Sequence, residues 1–99
     1  MEFLNKVELK GIVGRVTTTQ VMDFSVTNFS LVTERVNVGR DGMLTTEVTW
    51  FNCTTYNEIE IHKGDKAHVL GRLRVARYED GTERVSYEVV VNSVTILEK

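Results

Sequence analysis

Two short stretches carry residue types that could do chemistry together. In "EVTWFNCTTY" (47–56), Trp50 and Tyr56 stand six residues apart; in "LGRLRVARY" (70–78), Arg72, Arg74 and Tyr78 recur at even spacing. Side chains of a β-strand point alternately to its two sides. Trp50 therefore shares a side with Val48, Asn52, Thr54 and Tyr56, while Phe51 and Cys53 share the other with Thr49 and Thr55. If Phe51 and Cys53 face the core, the only tryptophan faces out among polar neighbours. On the second stretch Leu73 and Val75 mark the inward side, and Arg72, Arg74, Ala76 and Tyr78 the outward one. Arg77 and Lys63 lie near the ends of these elements. An outward strip of aromatics and arginines suits single-stranded nucleic acid. Each base that stacks on an aromatic is worth roughly 1–3 kcal/mol, and phosphates need cations along their track. The same residue types are also common hot spots of protein interfaces, and alternating arginines often only blunt a strand edge. Spacing alone leaves a nucleic acid and a protein partner both open.

No other chemistry competes. There is no P-loop, nucleophile elbow or zinc motif, and the lone glycine pair of "GIVGRV" is not a dinucleotide fingerprint. No enzyme activity, cofactor or metal is expected. Cys53 reads as a small buried hydrophobe. His62 and His68 have no carboxylate or cysteine at ligand spacing and read as surface residues. Phe3, Phe24 and Phe29 read as core or staple residues, and Tyr87 as a packing residue.

The elements that must position the strip are strands. The 99 residues fit one domain spanning 1–99, and 41% hydrophobic with 26% charged residues is ordinary for a soluble globular chain. No apolar run approaches the roughly 20 residues of a membrane span. The start "MEFLNKVELK" has no secretion signal, and a single cysteine excludes an internal disulfide; a cytoplasmic location is expected. The net charge of −2 weighs against binding duplex nucleic acid, but it is uneven. Residues 1–60 carry five Lys/Arg against eight Asp/Glu, and residues 61–99 seven against six. Alternation and Val/Thr enrichment predict strands over 5–16, 21–36, 45–56, 66–78 and 82–97. Gly11 and Gly14 mark a bend in the first strand. Residues 37–44 form a turn-rich loop, and Asp80-Gly81 a hairpin turn. The link 57–65 is a short helical or irregular segment, the only place for a helix, which Gly64 would stop. Five strands with a sharply bent first one suit an all-β, five-stranded, partly open Greek-key barrel, the OB-fold.

With these residues in place, the chain resembles the bacterial single-stranded DNA-binding proteins. "NKVELKGIVGRV" looks like the family's first strand, "FSLVTERV" its second, "TEVTWFNCTTY" its third, "HKGDKAHVLGRLRVARYEDG" its fourth with the hairpin, and "YEVVVNSVTILE" its last. The resemblance covers nearly the whole chain. It implies a sequence-independent single-stranded DNA-binding OB-fold that assembles as a homotetramer and serves replication, repair and recombination in the nucleoid. Trp50, Tyr56 and Tyr78 match three stacking positions. Arg74, Arg77, Lys63 and Lys6 match basic positions, with Arg72 beside them on the outward strip. A further family tryptophan falls near Asn37, so that stack is missing. The link 57–65 is shorter than the family's helical segment, and the loop after the first strand is compact. The acidic tail that recruits partner proteins is also missing, so tail-mediated partners are not expected. A tail-less dimeric relative, primosomal replication protein B, is the alternative resemblance. A protein-interaction module is the alternative from the residues themselves.

Overall fold

A computed structural model describes residues 1–77 and 85–98. Five strands follow one another: β1 (Val7–Val21), β2 (Phe24–Val38), β3 (Leu44–Thr55), β4 (Lys66–Arg77) and β5 (Val85–Glu98). They close into a barrel in the order β1-β2-β3-β5-β4. The expected partly open barrel is thus corrected to a closed one. Closure rests on the bent first strand. The N-terminal half of β1 pairs with β4, from Val7 opposite Gly71 to Ile12 opposite Lys66. Its C-terminal half pairs with β2. The last gap is sealed by a short parallel contact of β3 with β5, Cys53 opposite Val89 and Thr54 opposite Val90.

The bend in β1 has a local cause. Its register against β2 slips between Val13 and Val16, placing one extra residue in β1, and such a bulge bends and twists a strand. Gly11, just before it, crosses so close to β2 that a Cβ would run into the Val32 carbonyl oxygen.

The core is a compact apolar set. Val13, Leu31, Val69, Val89 and Cys53 are essentially closed to solvent, joined by Phe29, Ile61, Ala67 and Val91. Phe51 is half-buried against it. Each strand contributes by alternation, as expected for Phe51, Cys53 and Phe29. Phe3 and Phe24 do not: they are 89% and 49% exposed, because Phe3 precedes β1 and Phe24 sits at the tip of the β1–β2 hairpin. That hairpin turns through Met22-Asp23 alone, with Val21 opposite Phe24.

The link 57–65 contains no helix. Its polar groups are satisfied instead by β1 and by its own turn. The Gly64 N–H donates to the Val13 carbonyl and the Val13 N–H to the Asp65 carbonyl, both at 2.8 Å. The His62 N–H donates to Asp65 Oδ2 at 2.9 Å. Gly64 adopts φ +96°, a left-handed conformation open to glycine at little steric cost. So tied, the link presses Ile61 into the barrel.

The hairpins run past the barrel. The β4–β5 ladder extends to Arg77 opposite Val85, and β2–β3 to Val38 opposite Leu44. The loop between β2 and β3 is only residues 39–43, held by Gly39 N–H to Met43 O (2.8 Å) and Met43 N–H to Asp41 Oδ1 (3.0 Å). Leu73 and Val75, expected to face the core, are 43% and 44% exposed. They lie on the inward-continuing side, but beyond Gly71, where β4 has parted from β1 and no core remains to cover them.

Candidate nucleic-acid interface

The β2–β3 register sets the outward face that carries Trp50. Val32 lies opposite Trp50, Ser30 opposite Asn52, and Asn28 opposite Thr54. All belong to the side away from Leu31, Phe29 and Cys53. Trp50 is 60% exposed. Its covered part rests on the β1 bulge. A Cβ on Gly14 would lie 2.8 Å from Trp50 Cζ3 and 2.5 Å from Ser30 Oγ. Ser30 Oγ in turn accepts the Arg15 N–H at 2.8 Å. The extra residue of the bulge thus puts a bare backbone under the indole and an exposed arginine next to it.

Trp50 forms one wall of a groove of about 1320 Å³ that runs over β1, β2 and β3 and reaches the link and β5. Lys63 lies on its rim from the link, and Arg15 from β1. Glu88 is the only carboxylate lining it among the described residues. That carboxylate is not free. Arg74, opposite it on β4, donates from Nε at 2.8 Å and from Nη2 to the same oxygen, Oε1. The other oxygen, Oε2, accepts from the Thr54 hydroxyl at 2.8 Å. Thr54 Oγ1 is also 2.8 Å from Asn28 Oδ1, and its single proton serves one of the two at a time. The groove is therefore locally cationic although the chain is net negative.

Tyr56, just past β3, is 47% exposed. Arg74 Nη2 donates to its hydroxyl oxygen at 2.9 Å, and the guanidinium carbon lies 5.8 Å from the ring centre. The hydrogen bond to Tyr56 first, and Glu88 next, hold the Arg74 pKa above its ordinary value. One guanidinium thus joins Tyr56 to Glu88.

The expected residues are not all brought together. Trp50 and Lys63 share the groove. Lys6 and Arg74 line a second, shallower hollow of about 410 Å³ beside the N-terminal segment. There the Asn5 side chain both donates to the Leu73 carbonyl (2.7 Å) and accepts its N–H (2.9 Å), fixing Lys6 near β4. Arg72 is exposed on β4 but lines neither. Tyr78 and the Arg77 side chain lie outside the described residues. Tyr87, expected to pack, is 59% exposed and lines both the groove and the hollow, so it bridges them as an additional aromatic. Its place opposite Val75, beyond the end of the core, leaves it uncovered. Arg15 was also missed; the bulge glycine before it was the available signal. His68 is not an isolated surface histidine. Its Nε2 lies 2.7 Å from Glu8 Oε2, on the paired strand β1. His62 is exposed. Among the described residues, no cluster of His, Cys, Asp or Glu could hold a metal ion, and no helix is long and apolar enough to cross a membrane.

Comparison with known proteins places this geometry. The model of the Single-strand binding protein family matches residues 4–97. Two proteins named single-stranded DNA-binding protein, from Neisseria meningitidis serogroups A and B, are each 32% identical over 104 residues, covering 95% of this chain. The chain spans about 60% of the length of these curated relatives. Among solved structures, the Plasmodium falciparum SSB complex with ssDNA matches 99% of this chain and 98% of its own at TM-score 0.85 and 21% identity. A deletion mutant of the Thermus aquaticus single-stranded DNA binding protein matches 96% and 51% at TM-score 0.81 and 19% identity. The small single-stranded DNA-binding protein of Streptomyces coelicolor matches 92% of each chain at TM-score 0.71 and 17% identity. The likeness to these structures establishes the OB-fold.

Proposed function

The chain belongs to the Single-strand binding protein family, and we propose that it binds single-stranded DNA without strong sequence preference and without catalysis. One observation carries the reading: the only tryptophan stands largely exposed over the β1 bulge, in a groove whose only carboxylate among the described residues is already neutralised. Bases stack on Trp50, Tyr56 and Tyr87, and on Tyr78 where the family has a stacking aromatic. Phosphates follow Lys63, Arg15, Lys6, Arg72 and Arg77. Stacking tolerates every base because every base has a π-face, which suits protection of exposed strands in replication, repair and recombination within the cytoplasm.

Self-association belongs to the same reading. Between Val7 and Gly11, β1 pairs with β4 on one edge, and no described strand takes the other. Such an edge invites pairing with another chain, and a homotetramer built from paired first strands is the assembly we propose. Light scattering checks it, with a monomer as the contrary result. The binding itself is tested by competition. A dye-labelled oligo(dT) bound to the protein is challenged with unlabelled single strands of mixed sequence and with the matching duplex. Single strands should displace the probe and the duplex should not. Equal displacement by duplex would overturn the reading.

A further inference from the structure

The family resemblance puts a cation for the phosphate track at Arg74, yet the structure gives that guanidinium other work. Its Nε and Nη2 both go to Glu88 Oε1, and Nη2 also donates to the Tyr56 hydroxyl oxygen. Its carbon sits 5.8 Å from the Tyr56 ring centre, within cation–π reach. Glu88 is itself fixed from the other side by Thr54. Thr54 is 4% exposed and sits at the seam where β3 meets β5. A chain of contacts thus runs from the closed barrel through Thr54, Glu88 and Arg74 to Tyr56, which lies just past the end of β3 and has no strand ladder of its own. Resting on the single-strand reading above, we infer that Arg74 is a positioning residue. It holds the Tyr56 ring as a stacking platform, and Glu88 keeps it from serving as a phosphate ligand.

The physical case is a competition. A phosphate that took Arg74 would strip Glu88, side-chain exposure only 18%, of its cation inside the groove. An unpaired, largely covered carboxylate is costly, and it would repel the same phosphate. The exposed cations Lys63 and Arg15 carry no such debt; neither has an ion-pair partner among the described residues.

Salt dependence separates the two roles. Each phosphate contact on a single strand contributes about −0.7 to the slope of log K against log salt. The full chain is titrated with oligo(dT) across salt concentrations, as wild type, Arg74→Met, Tyr56→Ala, the double variant and Glu88→Gln. Arg74→Met should weaken binding several-fold with the slope unchanged. The loss should shrink in the Tyr56→Ala background, because there is no ring left to position and only repulsion by the uncovered Glu88 carboxylate remains. Glu88→Gln should steepen the slope by about 0.7, as Arg74 is freed to meet a phosphate. A slope shallower by about 0.7 in Arg74→Met, with the same loss in both backgrounds, would make Arg74 a phosphate ligand and overturn the inference. If Arg74→Met does not fold, Glu88→Gln decides alone, and an unchanged slope there refutes it. Failure of wild type to bind oligo(dT) would instead sink the single-strand reading.

Discussion

Replacing Trp50 by alanine removes one stacking platform while leaving the core intact. The indole is 60% exposed, so folding covers roughly two-fifths of it. With about 200 Å² for a whole tryptophan and about 25 cal/mol per Å², the stability at stake is at most about 2 kcal/mol. That corresponds to a melting temperature lower by roughly 10 °C in a domain of this size. Binding loses the stack, roughly 1–3 kcal/mol, or about 5- to 150-fold in affinity. The substitution also removes the only intrinsic tryptophan signal, so the assay is fluorescence anisotropy of a dye-labelled oligo(dT), paired with thermal unfolding by circular dichroism. An alanine variant that melts cooperatively but binds within two-fold of wild type would refute the stacking role. A variant unfolded at room temperature would show that Trp50 holds up the core, against the exposure on which the reasoning rests.

Three further outcomes follow from the same geometry. Gly14→Ala should reduce oligo(dT) affinity, by less than Trp50→Ala, because the new methyl must push the indole and Ser30 aside; the same anisotropy titration measures it. Cys53 is buried and its thiol is pushed up to about 12 by desolvation, so no thiolate forms at pH 8. Mass spectrometry after iodoacetamide treatment should find the native protein unmodified and the urea-unfolded protein carrying one adduct. The hydrogen bond with His68 holds the Glu8 carboxyl below its ordinary 4.5. A depressed folded pKa stabilises above the unfolded value, and that contribution is lost as pH falls through the folded one. The melting-temperature gap between wild type and Glu8→Gln should therefore be open above pH 4.5 and shrink as pH falls below it; a gap independent of pH would remove the pair from the account.

Alternation along 47–56 was enough to send Trp50 and Tyr56 outward and Cys53 inward, but not to show that Thr54, on the outward side, is buried where β3 meets β5. The same rule failed at Leu73 and Val75. Parity tells which side of a ladder a residue takes, not where the core ends, and here it ends at Gly71 as β4 leaves β1. The link 57–65 reads as helical or irregular, and its form is set by a distant partner, the Val13 backbone at the β1 bulge. Two pairs were illegible for the same reason: Glu8 with His68, and Arg74 with Glu88. Each joins residues far apart in the chain through cross-strand register. The arginine pattern announced a basic strip, but only the ladder disclosed that one of its members is already paired.

The central claim, that a single strand stacks on the exposed indole, is tested most directly by Trp50 emission during titration with oligo(dT). The free protein should emit like a solvent-exposed indole. Saturating oligo(dT) should quench that emission, and the apparent affinity should fall as salt rises. Blue-shifted emission in the free protein that oligo(dT) leaves unchanged, at about 50 mM salt where phosphate contacts are strongest, would contradict it.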